Sequence, residues 1–276
     1  MIQIPPDDKV RAIIDVKSFE DEEYVNNHYI VLCTKQGIIN KSRLKDFSRP
    51  RQNGINAINI KEGDQLLEAK LTDGNCEIMM AVKSGRAIRF PEAKVRPTAR
   101  GGIGVNGIDV DDATDEVVGM ICVNVEDKTK TVLVVSANGY GKRTFLDDPE
   151  TGEANYRITN RGGKGVKTIS VTAKTGSLVG LLAVTEAEDL MITCVSGITI
   201  RMPVNQISEQ GRATQGVKLI KVDEGDEIAA ITQLDEKEVD EIIVEANAAI
   251  APENTSDNES KEQNNAGEGA EPVNGE

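Results

Sequence analysis

Residues 157–171 combine the side chains that suit phosphate binding. They read R-I-T-N-R-G-G-K-G-V-K-T-I-S-V and hold Arg157, Arg161, Lys164 and Lys167 around three glycines. Cations attract phosphate oxygens, and glycine lets the backbone approach a ligand closely because it carries no Cβ. On its own the stretch is more typical of a charged β-turn than of a phosphate-binding loop. The choice therefore depends on whether the rest of the chain repeats the pattern.

The chain does repeat it, as a segment of the form G-[VI]-[NK]-x-I-x-[VI]. Four copies begin at Gly54, Gly104, Gly165 and Gly216, at spacings of 50, 61 and 51 residues. Alternation of apolar and polar residues indicates a half-buried β-strand in each copy. We call residues 54–60, 104–110, 165–171 and 216–222 the glycine-led segments.

A hairpin pattern precedes each glycine-led segment. Apolar runs lead into turns at Gly37, Gly85, Gly139 and Gly197, and a cation follows each turn glycine by four residues. Short glycine turns between apolar runs favour β-hairpins. About four strands in roughly 50 residues are typical of a propeller blade, which buries its faces only against neighbouring blades. We predict an all-β, propeller-like fold of four four-stranded blades over residues 1–234, with no helix before residue 235.

Composition limits the class of protein. Aromatic residues make up 3% of the chain and Trp is absent, so the core must be aliphatic. The N-terminus lacks the apolar stretch of a signal peptide, and no apolar run approaches the roughly 18 residues of a membrane span, so we expect a cytoplasmic chain without a membrane partner. His28 is the only histidine and the cysteines lie far apart, which argues against a zinc site. We expect buried, reduced thiols at Cys33, Cys76, Cys122 and Cys194, no metal, and no catalytic residue.

Most of the negative charge lies at the C-terminal end. Residues 235–276 hold 13 acidic and 2 basic side chains, a net charge of −11 out of −14, which leaves −3 for residues 1–234. Residues 235–251 fit a short amphipathic helix or a last strand equally well. Residues 252–276 are rich in Asn, Glu, Gly and Ser, and we predict a disordered acidic tail. This tail is either a competitor for a polyanion-binding surface or a solubilising segment.

The repeated cations form the candidate site. If the blades are equivalent, equivalent cations fall on one rim and form a positive belt, which suits the phosphate backbone of duplex DNA bent around the perimeter. Scarce aromatics argue against single-strand binding, and the lack of a recognition helix argues against base-specific reading. The predicted DNA-binding residues are Lys41, Arg43, Arg49, Arg51, Arg86, Arg89, Arg96, Arg100, Lys142, Arg143, Arg157, Arg161, Gly162, Gly163, Lys164, Gly165, Lys167, Arg201, Arg212 and Lys218.

These units resemble a known family. The hairpin V-S-A-N-G-Y-G-K-R-T and the segment G-R-A-T-Q-G-V-K-L-I-K-V are similar to the C-terminal DNA-wrapping domain of the DNA gyrase A protein, over about residues 1–234. The resemblance implies a β-pinwheel that wraps duplex DNA and supports ATP-dependent negative supercoiling by a type IIA topoisomerase, an isomerase. It also implies two partners in an A2B2 heterotetramer, namely the gyrase A N-terminal domain and the gyrase B subunit. ATP and Mg would belong to those other parts, and this chain needs no cofactor.

The chain departs from the family pattern in three ways. Residues 159–165, T-N-R-G-G-K-G, carry the last five residues of the family's seven-residue basic box, but in a late unit and not in the first. Four units are evident where the family usually has six, and the domain with the catalytic tyrosine is missing. We therefore expect an N-terminally truncated chain that is inactive by itself, in which residues 157–171 bind most strongly without sufficing to wrap DNA.

Two alternatives stay open. The C-terminal domain of the corresponding topoisomerase IV protein is similar but has degenerate basic boxes, so R-G-G-K-G favours the gyrase family. A propeller that binds proteins and not DNA is the other alternative.

Overall fold

A computed structural model of the protein describes residues 8–110 and 114–235. Strands dominate this part of the chain, with one short helix and three 3-10 turns. In chain order the elements are α1 (Glu22–Asn27), β1 (Tyr29–Thr34), β2 (Ile38–Arg43), β3 (Leu66–Thr72), β4 (Cys76–Val82), β5 (Arg86–Pro91), β6 (Val105–Asn106), β7 (Val117–Asn124), β8 (Thr131–Ser136), β9 (Tyr140–Phe145), β10 (Val166–Lys167), β11 (Leu178–Val184), β12 (Asp189–Cys194), β13 (Thr199–Pro203), β14 (Val217–Lys218) and β15 (Ile228–Leu234). The 3-10 turns span Leu44–Phe47, Glu92–Lys94 and Val204–Gln206.

Four antiparallel hairpins form the centre of the four sheets, as the turn glycines predict. The pairs are β1–β2, β4–β5, β8–β9 and β12–β13. Their turn glycines, Gly37, Gly85, Gly139 and Gly197, have φ angles of +83°, +85°, +83° and +90°. Side chains with a Cβ seldom adopt this backbone conformation, which explains why glycine occupies all four turns. The all-β, propeller-like fold is therefore confirmed.

Neighbouring units exchange a strand, which the sequence pattern does not predict. The sheet orders are β3-β1-β2-β6, β10-β5-β4-β7, β11-β8-β9-β14 and β13-β12-β15. The glycine-led segments of the second, third and fourth units thus complete the sheets of the preceding units and not their own. Within the described residues the fourth sheet has three strands, which differs from the predicted four.

Backbone contacts fix each exchanged strand at the hairpin turn. The carbonyl oxygen of Gly37 accepts hydrogen bonds from the N–H groups of Gly107 and Ile108, at 2.8 and 3.4 Å. The carbonyls of Gly85 and Gly139 accept equivalent pairs of bonds from Thr168 and Ile169, and from Leu219 and Ile220. We call this arrangement of a turn glycine and a glycine-led segment the exchange joint.

The core consists mainly of aliphatic side chains in layers between adjacent sheets, as the scarcity of aromatics predicts, with Phe90 and Tyr156 as buried aromatic residues. Val31, Ile78 and Phe90 are buried between the first and second sheets, and separate clusters fill the next two interfaces. The outer face of the first sheet is covered by the segment before α1, where Ala12 and Ile14 pack against its strands. Cys33, Cys76 and Cys194 are buried, Cys122 is partly buried, and all four thiols are free.

Helix α1 is an element that sequence patterns missed. It has six residues, and the Asp21 carboxylate caps its first turn by accepting a hydrogen bond from Tyr24 N at 3.0 Å. Such a helix is too short to show a 3.6-residue periodicity. The possible helix or strand at 235–251 and the acidic tail at 252–276 lie outside the described residues, apart from Asp235.

Candidate nucleic-acid interface

We call residues 49–53, 94–103, 157–164 and 211–215, which precede the four glycine-led segments, the basic loops. Three arginines join the basic loop of one unit to the glycine-led segment of the unit before it. Arg100, Arg161 and Arg212 each donate a hydrogen bond from Nη1 to the carbonyl oxygen of the third residue of that segment. The acceptors are Asn56, Asn106 and Lys167, at 3.1, 3.0 and 2.9 Å. Because the same atom pair recurs three times, the basic loops follow one another along a common edge.

Backbone hydrogen bonds reinforce this link. Gly101 N donates to Ala57 O at 2.9 Å, and Gly162 N donates to Gly107 O at 2.6 Å. In the opposite direction, the sixth residue of a segment donates from its N–H to the next basic loop. These pairs are Asn59 to Gly102, Asp109 to Gly163 and Ser170 to Thr214, at 3.2, 3.0 and 3.0 Å. Basic loops and glycine-led segments therefore form one continuous ribbon of irregular backbone. Glycine residues allow two backbone segments of this ribbon to approach each other closely.

This ribbon is strongly positive. We define the basic belt as residues 49–60, 94–110, 157–171 and 211–222. Together these ranges carry twelve Lys and Arg side chains and a single carboxylate, that of Asp109. The belt therefore has a net charge of +11, which favours contact with an anionic partner.

Sixteen of the twenty predicted site residues are at least partly accessible. The exposed ones are Arg43, Arg49, Arg51, Arg96, Arg100, Arg157, Gly163, Lys164, Lys167, Arg201 and Lys218, and the partly buried ones are Arg86, Arg161, Gly162, Gly165 and Arg212. Arg43, Arg86 and Arg201 belong to hairpin strands and not to the belt. Two of these three side chains face carboxylates, since Arg201 pairs with Asp189 at 2.5 Å and Arg86 lies 3.9 Å from Asp115.

The prediction that Lys41, Arg89, Lys142 and Arg143 lie on an exposed rim is wrong. All four are buried, with exposed fractions of 4, 3, 0 and 3%. They lie on the second hairpin strands β2, β5 and β9, whose central residues are covered on both faces by neighbouring sheets and loops. Their charges are directed to partners within the protein, so they are not available to an external phosphate.

Two of these buried cations form ion pairs between elements. Lys41 Nζ lies 2.6 Å from a carboxylate oxygen of Glu92, which is itself fully buried. Arg89 pairs with Glu77 of its own sheet and with Asp147 beyond β9, the latter at 2.6 Å. These hydrogen bonds to Arg89 lower the pKa of Asp147, which keeps that carboxylate ionised.

The buried side chains of Lys142 and Arg143 bind the backbone at the start of the fourth basic loop and of the residues just before it. Lys142 Nζ donates to the carbonyl oxygens of Gly211 and Arg212, at 2.5 and 2.6 Å. Burial disfavours the ammonium and lowers the pKa of Lys142 to about 8, and the positive charge of the neighbouring Arg212 acts in the same direction. Arg143 donates to Ile207 O at 2.8 Å and faces Glu186 and Glu209. These side chains position the loop and do not form its outer surface.

Sequence reasoning also missed part of the belt. Lys94 lies in a 3-10 turn, its side chain is exposed, and its carbonyl oxygen accepts a hydrogen bond from Arg161 Nε at 3.1 Å. Lys221 is likewise exposed in the fourth glycine-led segment. Both could have been found by extending the repeat comparison a few residues beyond the motif.

The described residues hold one cluster with possible metal ligands, formed by Asp73, Cys76 and Glu92. Its carboxylate Glu92 is already bound by Lys41 and by the hydroxyl of Thr72 at 2.7 Å. Burial raises the pKa of the Cys76 thiol to about 12, so this sulfur stays protonated. The cluster therefore serves packing, and the basic belt is the stronger candidate site. Among the described residues no helix has the length and apolar character to cross a membrane.

The fold and the belt define a class of protein: a propeller-type β repeat in which adjacent sheets exchange a strand and basic loops follow one edge. A family model described as the DNA gyrase C-terminal domain, beta-propeller, matches residues 28–73, 77–124, 130–148, 151–185 and 188–235. The chain belongs to this family.

Curated relatives agree with that assignment. The DNA gyrase A protein of Staphylococcus epidermidis is 40% identical over 237 residues, and that of Staphylococcus aureus is 39% identical over 240 residues. These matches cover 86 and 87% of this chain but 25 and 26% of the relatives, so the chain spans about a quarter of their length.

Two solved structures share the fold. One is titled as a DNA gyrase A C-terminal domain, with a TM-score of 0.70 and 24% identity over 85% of this chain and 73% of that one. The other is the C-terminal domain of DNA topoisomerase IV, with a TM-score of 0.71 and 19% identity over 86% of this chain and 69% of that one.

Proposed function

We propose that this chain is a DNA-binding and DNA-bending module of a DNA gyrase A protein, contacting duplex DNA along the basic belt. The observation that carries the proposal is the threefold Arg-to-carbonyl link, which holds successive cationic loops in one line. Spaced cations along an edge match the regular phosphates of a duplex and contact them without reading bases.

The family assignment supports the larger context of this proposal. In a complete type IIA topoisomerase the module would hold a DNA segment for strand passage. The catalytic tyrosine, the ATP site and its Mg²⁺ would lie in the gyrase A N-terminal domain and in gyrase B. The chain alone would then bind DNA without changing its topology catalytically. The sequence identities of 39–40% to gyrase A proteins favour gyrase over topoisomerase IV.

The first test is the salt dependence of binding to a fluorescent duplex, measured by anisotropy. Binding through phosphates should weaken steeply, with log K falling by about 0.9 per phosphate contact for each unit of log salt concentration. A propeller that binds only proteins would leave the anisotropy unchanged even at low salt. A salt-independent signal would also contradict the proposal.

Bending around the belt needs a second measurement. A relaxed plasmid is incubated with increasing amounts of the chain, relaxed again by a type I topoisomerase and deproteinised. Wrapping traps writhe, so the distribution of topoisomers should shift with the amount of protein. Binding without wrapping gives no shift, and that result would restrict the function to DNA binding.

A further inference from the structure

The third residue of each glycine-led segment occupies an equivalent place in every unit, but its chemistry changes along the belt. It is Asn56 and Asn106 in the first two units, and Lys167 and Lys218 in the last two. All four side chains are exposed. Asn106, Lys167 and Lys218 are exposed although each belongs to a strand paired with the preceding sheet. Strand pairing therefore leaves the side chain at this position on the surface of the belt.

Two further positions of the ribbon show the same division, namely the residue before the glycine and the sixth residue of the segment. In the first two units these are Asn53, Asn59, Ile103 and Asp109, and in the last two they are Lys164, Ser170, Gln215 and Lys221. All eight are exposed or partly exposed. Over the three positions, the net charge is −1 in the first two units and +4 in the last two. We call residues 49–60 and 94–110 the amide half of the belt, and residues 157–171 and 211–222 the lysine half.

Amide and ammonium groups suit different parts of a duplex. An ammonium is a compact positive charge that binds phosphate. An amide offers a phosphate no charge, but its NH2 group donates hydrogen bonds to acceptors on base edges. In the first unit Asn56 Nδ2 donates to Asn59 Oδ1 at 2.7 Å, which aligns the two amides and uses one of the two hydrogens of that NH2 group. The amide half can therefore contact bases where the lysine half contacts phosphates.

The minor groove is the part of a duplex that such side chains can read. The major groove is about 12 Å wide and is read by a helix or a two-stranded ribbon, whereas the belt presents loops and two-residue strands. DNA bent around a protein turns its minor groove inward once per helical turn. In this groove A·T pairs present only acceptors, while G·C pairs add the 2-amino group of guanine, a donor that an amide NH2 cannot accept.

The basic loops of the amide half add exposed arginines beside proline. Arg49, Arg51 and Arg96 are exposed, and Pro50 and Pro97 favour extended backbone next to them. A guanidinium is less strongly hydrated than an ammonium, and arginine is attracted into minor grooves that are narrow, as they are in A-tracts. Arginine and asparagine in this half therefore suit the same groove and the same base pairs.

We infer that the amide half of the belt binds the minor groove of A·T-rich DNA, while the lysine half binds phosphates regardless of sequence. This inference rests on the proposed function, since it assigns contacts within the same belt. Distinguishing A·T from G·C pairs requires only minor-groove donors and no recognition helix. The consequence is a preferred register, in which an A·T-rich stretch of the duplex lies against the first two units.

The four third-position residues provide a matched test. One variant carries Asn56→Ala and Asn106→Ala, and the other carries Lys167→Ala and Lys218→Ala. Each is titrated by anisotropy, over a range of salt concentrations, against three duplexes of equal length made of A·T, G·C or inosine·cytosine pairs. Inosine lacks the 2-amino group of guanine, so its pair with cytosine resembles A·T in the minor groove and G·C in the major groove.

The two variants should show opposite defects. The native chain should bind the A·T and inosine·cytosine duplexes at least about fivefold more tightly than the G·C duplex. The asparagine variant should lose most of this preference while its salt slope stays the same. The lysine variant should keep the preference, and the magnitude of its salt slope should fall by about 1.8, the value for two phosphate contacts.

The outcomes separate this inference from the proposed function. Equal affinity of the native chain for all three duplexes would overturn the inference and leave DNA binding intact. So would an asparagine variant with the native preference, or a native chain that binds inosine·cytosine as weakly as G·C. If the native chain bound none of the duplexes, the proposed function itself would fail.

Discussion

The guanidinium of Arg161 donates from Nη1 to the carbonyl oxygen of Asn106 at 3.0 Å, and so joins the third unit to the second. Its Nε donates to Lys94 O at 3.1 Å, which fixes the plane of the group against the neighbouring loop. Arg161 is only partly buried, so its charge still contributes to the surface potential of the basic belt. One side chain therefore serves both the cohesion of the belt and its electrostatic field.

These two contributions can be separated by substitution at Arg161. Arg161→Lys keeps the charge but loses the planar fork that reaches two carbonyls, so we expect unfolding free energy to fall by about 1 kcal/mol with an unchanged salt slope for DNA binding. Arg161→Ala should lower both the unfolding free energy and the magnitude of the salt slope for DNA binding. Urea unfolding and anisotropy titrations measure the two effects. Arg51→Lys is the control, since that guanidinium is exposed without a partner among the described residues. A stable Arg161→Lys variant would contradict the linking role.

Lys167 tests the belt as a phosphate-binding surface. It is exposed at the third position of a glycine-led segment, and its side chain makes no ion pair within the described ranges. Lys167→Ala should reduce the magnitude of the salt slope by about 0.9, the value for one phosphate contact, and change stability by less than about 0.5 kcal/mol. Lys128→Ala removes a 72% exposed charge outside the belt and should leave the slope unchanged. Equal slopes for the two variants would exclude a direct contact by Lys167.

How far the sequence predicts this fold can be judged from the turn glycines. Gly37, Gly85, Gly139 and Gly197 are visible in the sequence because a turn with positive φ requires glycine, and the hairpins follow from them. The strand exchange is not visible. A glycine-led segment pairs through only two residues, as in β6, and alternation shows that a strand exists without showing which sheet it joins.

The sequence predicts correctly which loop cations of the candidate site are exposed, but it does not reveal which strand cations are buried. Arg89 and Arg157 look alike in the sequence, yet one is 3% exposed within an ion-pair cluster and the other lies on the surface. Strand β4 beside Arg89 is buried at every residue, so alternation fails to distinguish its two faces. The loop cations Arg49, Arg96 and Lys164 were placed correctly on the surface because glycine- and proline-containing loops lie there.

Arg89 should act on stability and not on DNA binding. Besides its two carboxylate partners it donates to Tyr156 O at 2.9 Å and to Leu146 O at 3.2 Å. Arg89→Met removes one partner of a buried ion pair and leaves Glu77 uncompensated, so we expect a loss of about 3–5 kcal/mol in unfolding free energy. Arg157→Met, an exposed site, should cost less than about 0.5 kcal/mol. Denaturant unfolding measures both. A small loss for Arg89→Met would contradict the structural role of the pair.

Gly37 tests the close contact of the exchange joint. Gly37 and Gly225 both have φ of +83°, so alanine carries a similar backbone strain at either position, about 1–2 kcal/mol. Only at Gly37 does the new Cβ meet a backbone atom, Ile108 O at 2.5 Å, whereas nothing lies near it at Gly225. Gly37→Ala should therefore be less stable than Gly225→Ala by at least about 1 kcal/mol. Equal unfolding free energies of Gly37→Ala and Gly225→Ala in urea would show that the exchange joint accommodates the added Cβ without loss of stability.

Lys142 gives the protein a specific dependence on pH. Its pKa falls from an ordinary 10.5 to about 8 in the folded chain, because burial disfavours the ammonium. Between these two values the unfolded chain binds a proton that the folded chain has released. Unfolding free energy must therefore rise with pH in this window, by at most about 1.4 kcal/mol per pH unit for one proton.

Comparison with Lys142→Met isolates this contribution from other groups that titrate in the same range. The difference in unfolding free energy between the native chain and the variant should be constant below about pH 7 and then grow in favour of the native chain up to about pH 10. Urea unfolding across this range measures it. Parallel pH profiles would mean that Lys142 keeps its proton, held by the carbonyls of Gly211 and Arg212.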